Sequence, residues 1–141
     1  MVDVRTPPTA GIVAALALVA AVFAPYVALS ASGVSALGTY YGYGLVGPPY
    51  IALFALVAAI VFAAGREGRT EPDLAAGVTL VLGFAVVALV FVWAVSVSSE
   101  FVSSIGTETW MAYHRWAVLL VGVVLAACGV WYARVLGLLT A

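Results

Sequence analysis

Four long apolar stretches dominate the 141-residue chain, at residues 9–30, 48–65, 74–97 and 111–135. Each approaches the roughly 20 residues that a helix needs to cross about 30 Å of hydrocarbon. Charged residues make up 8% of the chain, against about 25% in soluble domains, and the mean hydropathy is +1.22. A water-soluble fold is excluded, and the short connections leave no room for an appended globular module. The expected fold is all-α: one integral membrane domain over residues 1–141, folded as an antiparallel four-helix transmembrane bundle.

The boundaries of the stretches carry helix signals. Thr6 stands as an N-cap before Pro7, and Gly47 precedes Pro48 in the same way. In "TEPDLAAG", Thr70 and Asp73 have capping-box spacing around Pro72, with Glu71 and Asp73 at the positive end of a helix dipole. Pro25 falls inside the first stretch, removes a backbone donor and predicts a kink near residues 21–25. Arg5 before an apolar run ending in "ALSAS" resembles a signal peptide, but the run exceeds the usual 7 to 15 residues and is read as a retained span.

Four spans put both termini on one side. Arg5, Arg66, Arg69 and Arg134 share that side, against Arg115 on the other, so the positive-inside rule predicts cytoplasmic termini in the cell membrane. Five scattered arginines form no stripe for a phosphate backbone, which argues against nucleic acid as a partner.

No Asp, Glu, Lys, Arg or His lies near the middle of any span, so the groups that ion-coupled transporters and proton pumps use are missing. Small residues instead recur at close-packing intervals. Gly122 with Ala126 and Gly129 with Ala133 mark a face suited to bundle packing or to a homo-oligomer.

Chemistry-bearing residues gather in the outer connections. The segment from 31 to 47 is uncharged, rich in glycine, and carries Tyr40, Tyr41 and Tyr43; it reads as a compact loop with an aromatic belt, or as a docking surface. Residues 98–110 carry Glu100 and Glu108 among serines without a glycine-flanked nucleophile motif. "ETWMAYHRWAV" follows, with the sole histidine.

At 100° per residue, Glu108 and Arg115 share one helix face while Trp110 and His114 share another, so no Glu–His dyad forms within the helix. Cys128, the only cysteine, projects near the His114 face but about 21 Å away along the axis, too far to share a metal ion. A bis-histidine haem would need a second histidine from elsewhere. No catalytic residue, cofactor or metal ligand set is therefore assigned. Tyr40, Tyr41, Tyr43, Glu100, Glu108, Trp110, His114 and Arg115 are the candidate contacts to membrane lipid or a protein partner. Trp110, Tyr113 and Trp116 read as interface anchors, His114 as a hydrated belt residue and Arg115 as a lipid-facing cation.

The lack of lysine, the Ala, Val and Gly bias and the slight acidic excess resemble proteins of halophilic archaea, or second to these of high-GC bacteria. The chain resembles the uncharacterised small four-helix membrane proteins of halophilic archaea, which implies membrane localisation and no assigned activity. Claudins and tetraspanins share the four-span plan, but their paired loop cysteines and tryptophan signature are absent. The expected function is that of a non-enzymatic accessory or assembly subunit presenting its outer aromatic segments. An oligomeric pore for a small uncharged solute is the alternative, followed by a redox or enzyme subunit using the outer Glu, His and Arg residues.

Overall fold

The computed structural model describes residues 4–29, 31–97, 100–101 and 110–139. Among them are five principal helices and no strand: α1 (Thr6–Ala28), α2 (Ala31–Tyr40), α3 (Pro48–Arg66), α4 (Pro72–Ser96) and α5 (Met111–Val135). Helices α1, α3 and α4, and α5 from Ala112, are long and apolar enough to cross a membrane. Four such helices make the chain a multi-pass membrane protein.

Pro7 and Pro8, Pro48 and Pro49, and Pro72 begin three of the spans, where a missing N–H leaves no intrahelical bond unmade. The Thr70–Asp73 capping box does not form. Helix α4 takes Glu71 as its N-cap without a side-chain bond, one residue later than that motif requires. The segment after α1 also differs from a compact loop, since its first ten residues are the helix α2. Leu37, Tyr40 and Tyr41 follow at helical spacing and point into the bundle, which explains how so weakly patterned a segment is held. Gly44 then reverses the chain with φ +81°, and a Cβ there would stand 2.9 Å from the Trp93 Cα.

The four spans form a ring in which α1 packs on α3 and α5, and α4 packs on α3 and α5. Contacts step in opposite directions along α4 and α5: Val86 faces Gly122, Gly83 faces Ala126 and Leu80 faces Gly129. These two helices are therefore antiparallel, and α4 covers the small-residue face of α5. Ala126 and Ala133 on that face are buried.

Small residues fill much of the interior, beside larger ones such as Leu18, Ile51, Phe62, Val86, Val90 and Leu125. Ala14, Ala15, Ala52, Ala55, Ala58, Ala75 and Ala76 are buried, while Val13, Leu16, Leu53, Ile60, Val81, Phe84 and Phe91 are exposed. Lipid tails solvate leucine as well as a protein core does, so backbone approach and dispersion, not hydrophobic transfer, reward small residues inside.

At the end bearing the termini, the Arg66 Nε donates to Thr9 Oγ1 at 2.7 Å, and Thr9 donates to the Arg5 carbonyl at 2.7 Å. Glu67 pairs with Arg66 and, at 3.4 Å, with Arg5. The Arg66 hydrogen bond and the two guanidinium charges hold the Glu67 carboxyl below its ordinary range.

Gly83→Leu should destabilise the bundle by about 1–3 kcal/mol, because even a Cβ would stand 2.8 Å from the Ala126 Cα. Gly77→Ala, where nothing lies within 4 Å, should be neutral or slightly stabilising in the same detergent unfolding assay. With its folded pKa depressed, Glu67 contributes stability above the ordinary carboxylate pKa and loses it as pH falls. Melting between about pH 6 and pH 3 should therefore show a small acid-side loss that Glu67→Gln removes, with both proteins melting alike at the acid end.

Candidate functional site: the aromatic cage of His114

The far end of the bundle is organised by a backbone defect. Pro25 has no N–H to offer the Ala21 carbonyl four residues earlier, yet α1 continues through it to Ala28. In a membrane span that carbonyl needs another donor. His114 supplies it from the facing helix: Nε2 lies 2.7 Å from the Ala21 oxygen. The neighbouring carbonyl, that of Val22, accepts a bond from the Tyr41 hydroxyl.

The tautomer follows from the partners. A carbonyl oxygen only accepts, so Nε2 carries the proton, and in the neutral ring Nδ1 is left as an acceptor. The Tyr40 hydroxyl stands 3.0 Å from Nδ1 and donates to it. The Trp93 Nε1 in turn donates to the Tyr40 carbonyl at 2.9 Å. One chain of bonds thus runs from α4 through the end of α2 and across α5 to the proline-opened turn of α1. Burial pushes both phenols far above their ordinary range; Arg115 partly opposes this for Tyr40, and the neighbouring tyrosines add to it for Tyr41. Both hydroxyls remain donors.

Aromatic rings close the surroundings. Trp110, Tyr40, Tyr41 and Trp93 lie with ring centroids 5.9, 5.8, 6.4 and 6.5 Å from the imidazole. Tyr40 also meets Trp93 edge-on at 5.2 Å. His114 is 6% exposed, so it is an internal strut rather than a hydrated belt residue.

Arg115 is 9% exposed and does not lie along lipid. Its Nη1 donates at 2.8 Å to the carbonyl of Val97, the C-cap of α4, and its guanidinium carbon lies 5.2 Å from the Trp116 ring centroid. A cation near the N-terminus of α5 is unfavourable for that helix's own dipole. Arg115 instead serves the negative end of α4, where an orphan carbonyl and the dipole both favour it.

The structure therefore brings together Tyr40, Tyr41, Trp110 and His114, with Arg115 one residue along at the α4 terminus. Tyr43 is half-buried and makes a tilted ring contact with Phe101 at 5.8 Å, and Glu100 is exposed. Glu108 lies outside the described residues. Tyr113 and Trp116 are 73% and 43% exposed. Trp93 and Tyr26 carry part of the aromatic cluster without having been singled out by sequence; Trp93 sits near the end of an apolar run and resembles a belt residue. The signal that points to the cage is Pro25 itself, which demands an outside donor, read together with a chain that has a single histidine at the same membrane level.

His114→Ala should lower stability by about 1–2 kcal/mol by stranding the Ala21 carbonyl and the Tyr40 hydroxyl. In a Pro25→Ala background, the restored backbone N–H can bond Ala21, so the same substitution should cost about 1 kcal/mol less in a double-mutant cycle. Strict additivity of the two substitutions would contradict the assignment.

The chain belongs to a family of unknown function, DUF7548, whose profile matches residues 1–137. No curated protein matches the chain. No solved structure matches it.

Proposed function

We propose that this member of the DUF7548 family is a non-catalytic subunit of a membrane assembly, engaging a protein partner through the exposed apolar and aromatic surface at the far end of its bundle. The observation that carries this reading is how the polar side chains there are employed. His114, Tyr41, Trp93 and Arg115 all donate to backbone carbonyls of neighbouring segments, and Tyr40 donates to His114. A catalytic site needs such groups aimed at a space that a substrate can occupy. Here they fasten α1, α2, α4 and α5 to one another.

Around this closed knot, Leu45, Tyr50 and Tyr113 stand 81%, 68% and 73% exposed. Tyrosine contributes disproportionately to protein contacts because it offers a rigid ring with a polar edge. The arginine distribution supports an outward-facing position for this surface, with Arg5, Arg66, Arg69 and Arg134 at the opposite end. A fastened end is the platform such a role requires, since a preorganised surface loses little conformational entropy when a partner docks.

Photo-crosslinking amino acids placed at Leu45, Tyr50 and Tyr113 in native membranes should yield one common protein adduct. The same probe at Val81, exposed on the apolar flank of α4, should not. Tyr50→Ala and Tyr113→Ala should each weaken recovery of that adduct by about tenfold, the loss expected for truncating an interface anchor. Adducts with lipid alone at all three far-end positions would refute the proposal.

A further inference from the structure

We propose that the face shared by α1 and α5, in the half of the bundle that bears the termini, holds one anionic phospholipid, with an acyl chain in the interhelical groove and its phosphate at Arg134. One concavity lies on this face and a second beside it on α5. The first, about 410 Å³, is walled by Ala10, Ala14 and Ala17 of α1 and by Val121, Val124 and Cys128 of α5. The second, about 420 Å³, is formed by α5 alone, at Ala127, Val130, Trp131, Arg134 and Val135.

Helical spacing joins them. Val124, Cys128, Trp131 and Val135 follow at steps of four, three and four residues, so they line one face of α5 and lead from the first concavity to the second. The wall of the groove is hydrocarbon, with no titratable side chain apart from the buried Cys128 thiol. Its far end carries a cation.

Length and charge select the occupant. Arg134 lies thirteen positions beyond Val121, about 20 Å of helix; one leaflet of a bilayer offers about 15 Å of hydrocarbon and about 5 Å more of headgroup layer. A chain anchored at Arg134 therefore ends near the midplane, where the groove ends. Arg134 sits in the last turn of α5 and is exposed. Glu67, which forms the ion pairs at this end among the described residues, is engaged by Arg66 and Arg5. Trp131, partly exposed at the same level, supplies the amphipathic ring that suits the headgroup boundary. A phosphate meets the guanidinium as a charge-assisted, bidentate acceptor, and an anionic headgroup brings no ammonium to compete for it. A second protein helix would fill the groove as well, but nothing about such a helix would require a cation at this end.

The test uses the full chain extracted in mild detergent from vesicles of equal parts phosphatidylglycerol and phosphatidylcholine, with retained lipid counted by native mass spectrometry. One retained lipid is expected, with phosphatidylglycerol favoured about fivefold, the preference that one interfacial arginine provides. Arg134→Gln should bring the ratio close to one, whereas Arg69→Gln, an exposed arginine outside the groove, should leave it unchanged. Val124→Trp, at an exposed position that fills the groove, should reduce retention of both lipids without lowering the melting temperature; Ala127→Trp repeats this test should the first variant misfold. Equal retention of the two lipids by the unmodified chain, a preference that survives Arg134→Gln, or a dimer in place of the lipid-bound monomer would each overturn the proposal.

Discussion

The bond between His114 Nε2 and the Ala21 carbonyl determines how the far end of this protein is built. Pro25 opens the helix at a buried position, and the opened carbonyl demands a donor from another element. Supplying that donor from α5 fixes the depth of α5 against α1. It also fixes the tautomer, which turns Nδ1 into an acceptor and draws in the hydroxyl at the end of α2. Through its own carbonyl, Tyr40 then engages Trp93 of α4. A single missing backbone proton thus organises four helices, and aromatic rings fill the space around the resulting bonds.

The rest of the bundle rests on a different principle. Along the spans, alanines and glycines let helix backbones approach while Leu18, Ile51, Phe62, Val86, Val90 and Leu125 fill the interior between them, so close packing rather than transfer from water holds the helices together. The two ends are finished by polar bonds of opposite character. The end bearing the termini uses exposed charges around Glu67; the far end uses buried neutral donors, with Arg115 capping α4. That division suits a protein whose middle meets lipid and whose far surface is proposed to meet a partner.

Much of this plan is legible in sequence because span length, proline at helix starts and the lack of mid-span charge are local signals. The face of α5 that carries Trp110 and His114 follows from 100° per residue, and the two rings do meet. Depth and partners do not follow from such signals. Helical geometry within one segment cannot reveal that His114 reaches Ala21, 93 positions away, or that Arg115 serves another helix's terminus. Helix α2 is obscured because glycine and serine interrupt it and because its stability comes from burying Leu37, Tyr40 and Tyr41 against helices distant in sequence. Trp93 is hidden by context, as a large apolar residue near a span end has the composition of a belt anchor whether it faces inward or outward.

Because the chain has one histidine, its imidazole nitrogens can be observed directly by ¹⁵N NMR after selective histidine labelling in a bilayer, at about pH 8, above the ordinary imidazole range. The account predicts a single tautomer with protonated Nε2 and bare Nδ1, and an Nε2–H that exchanges slowly with water. A ring protonated on Nδ1, or two nitrogens averaged by rapid exchange, would contradict it.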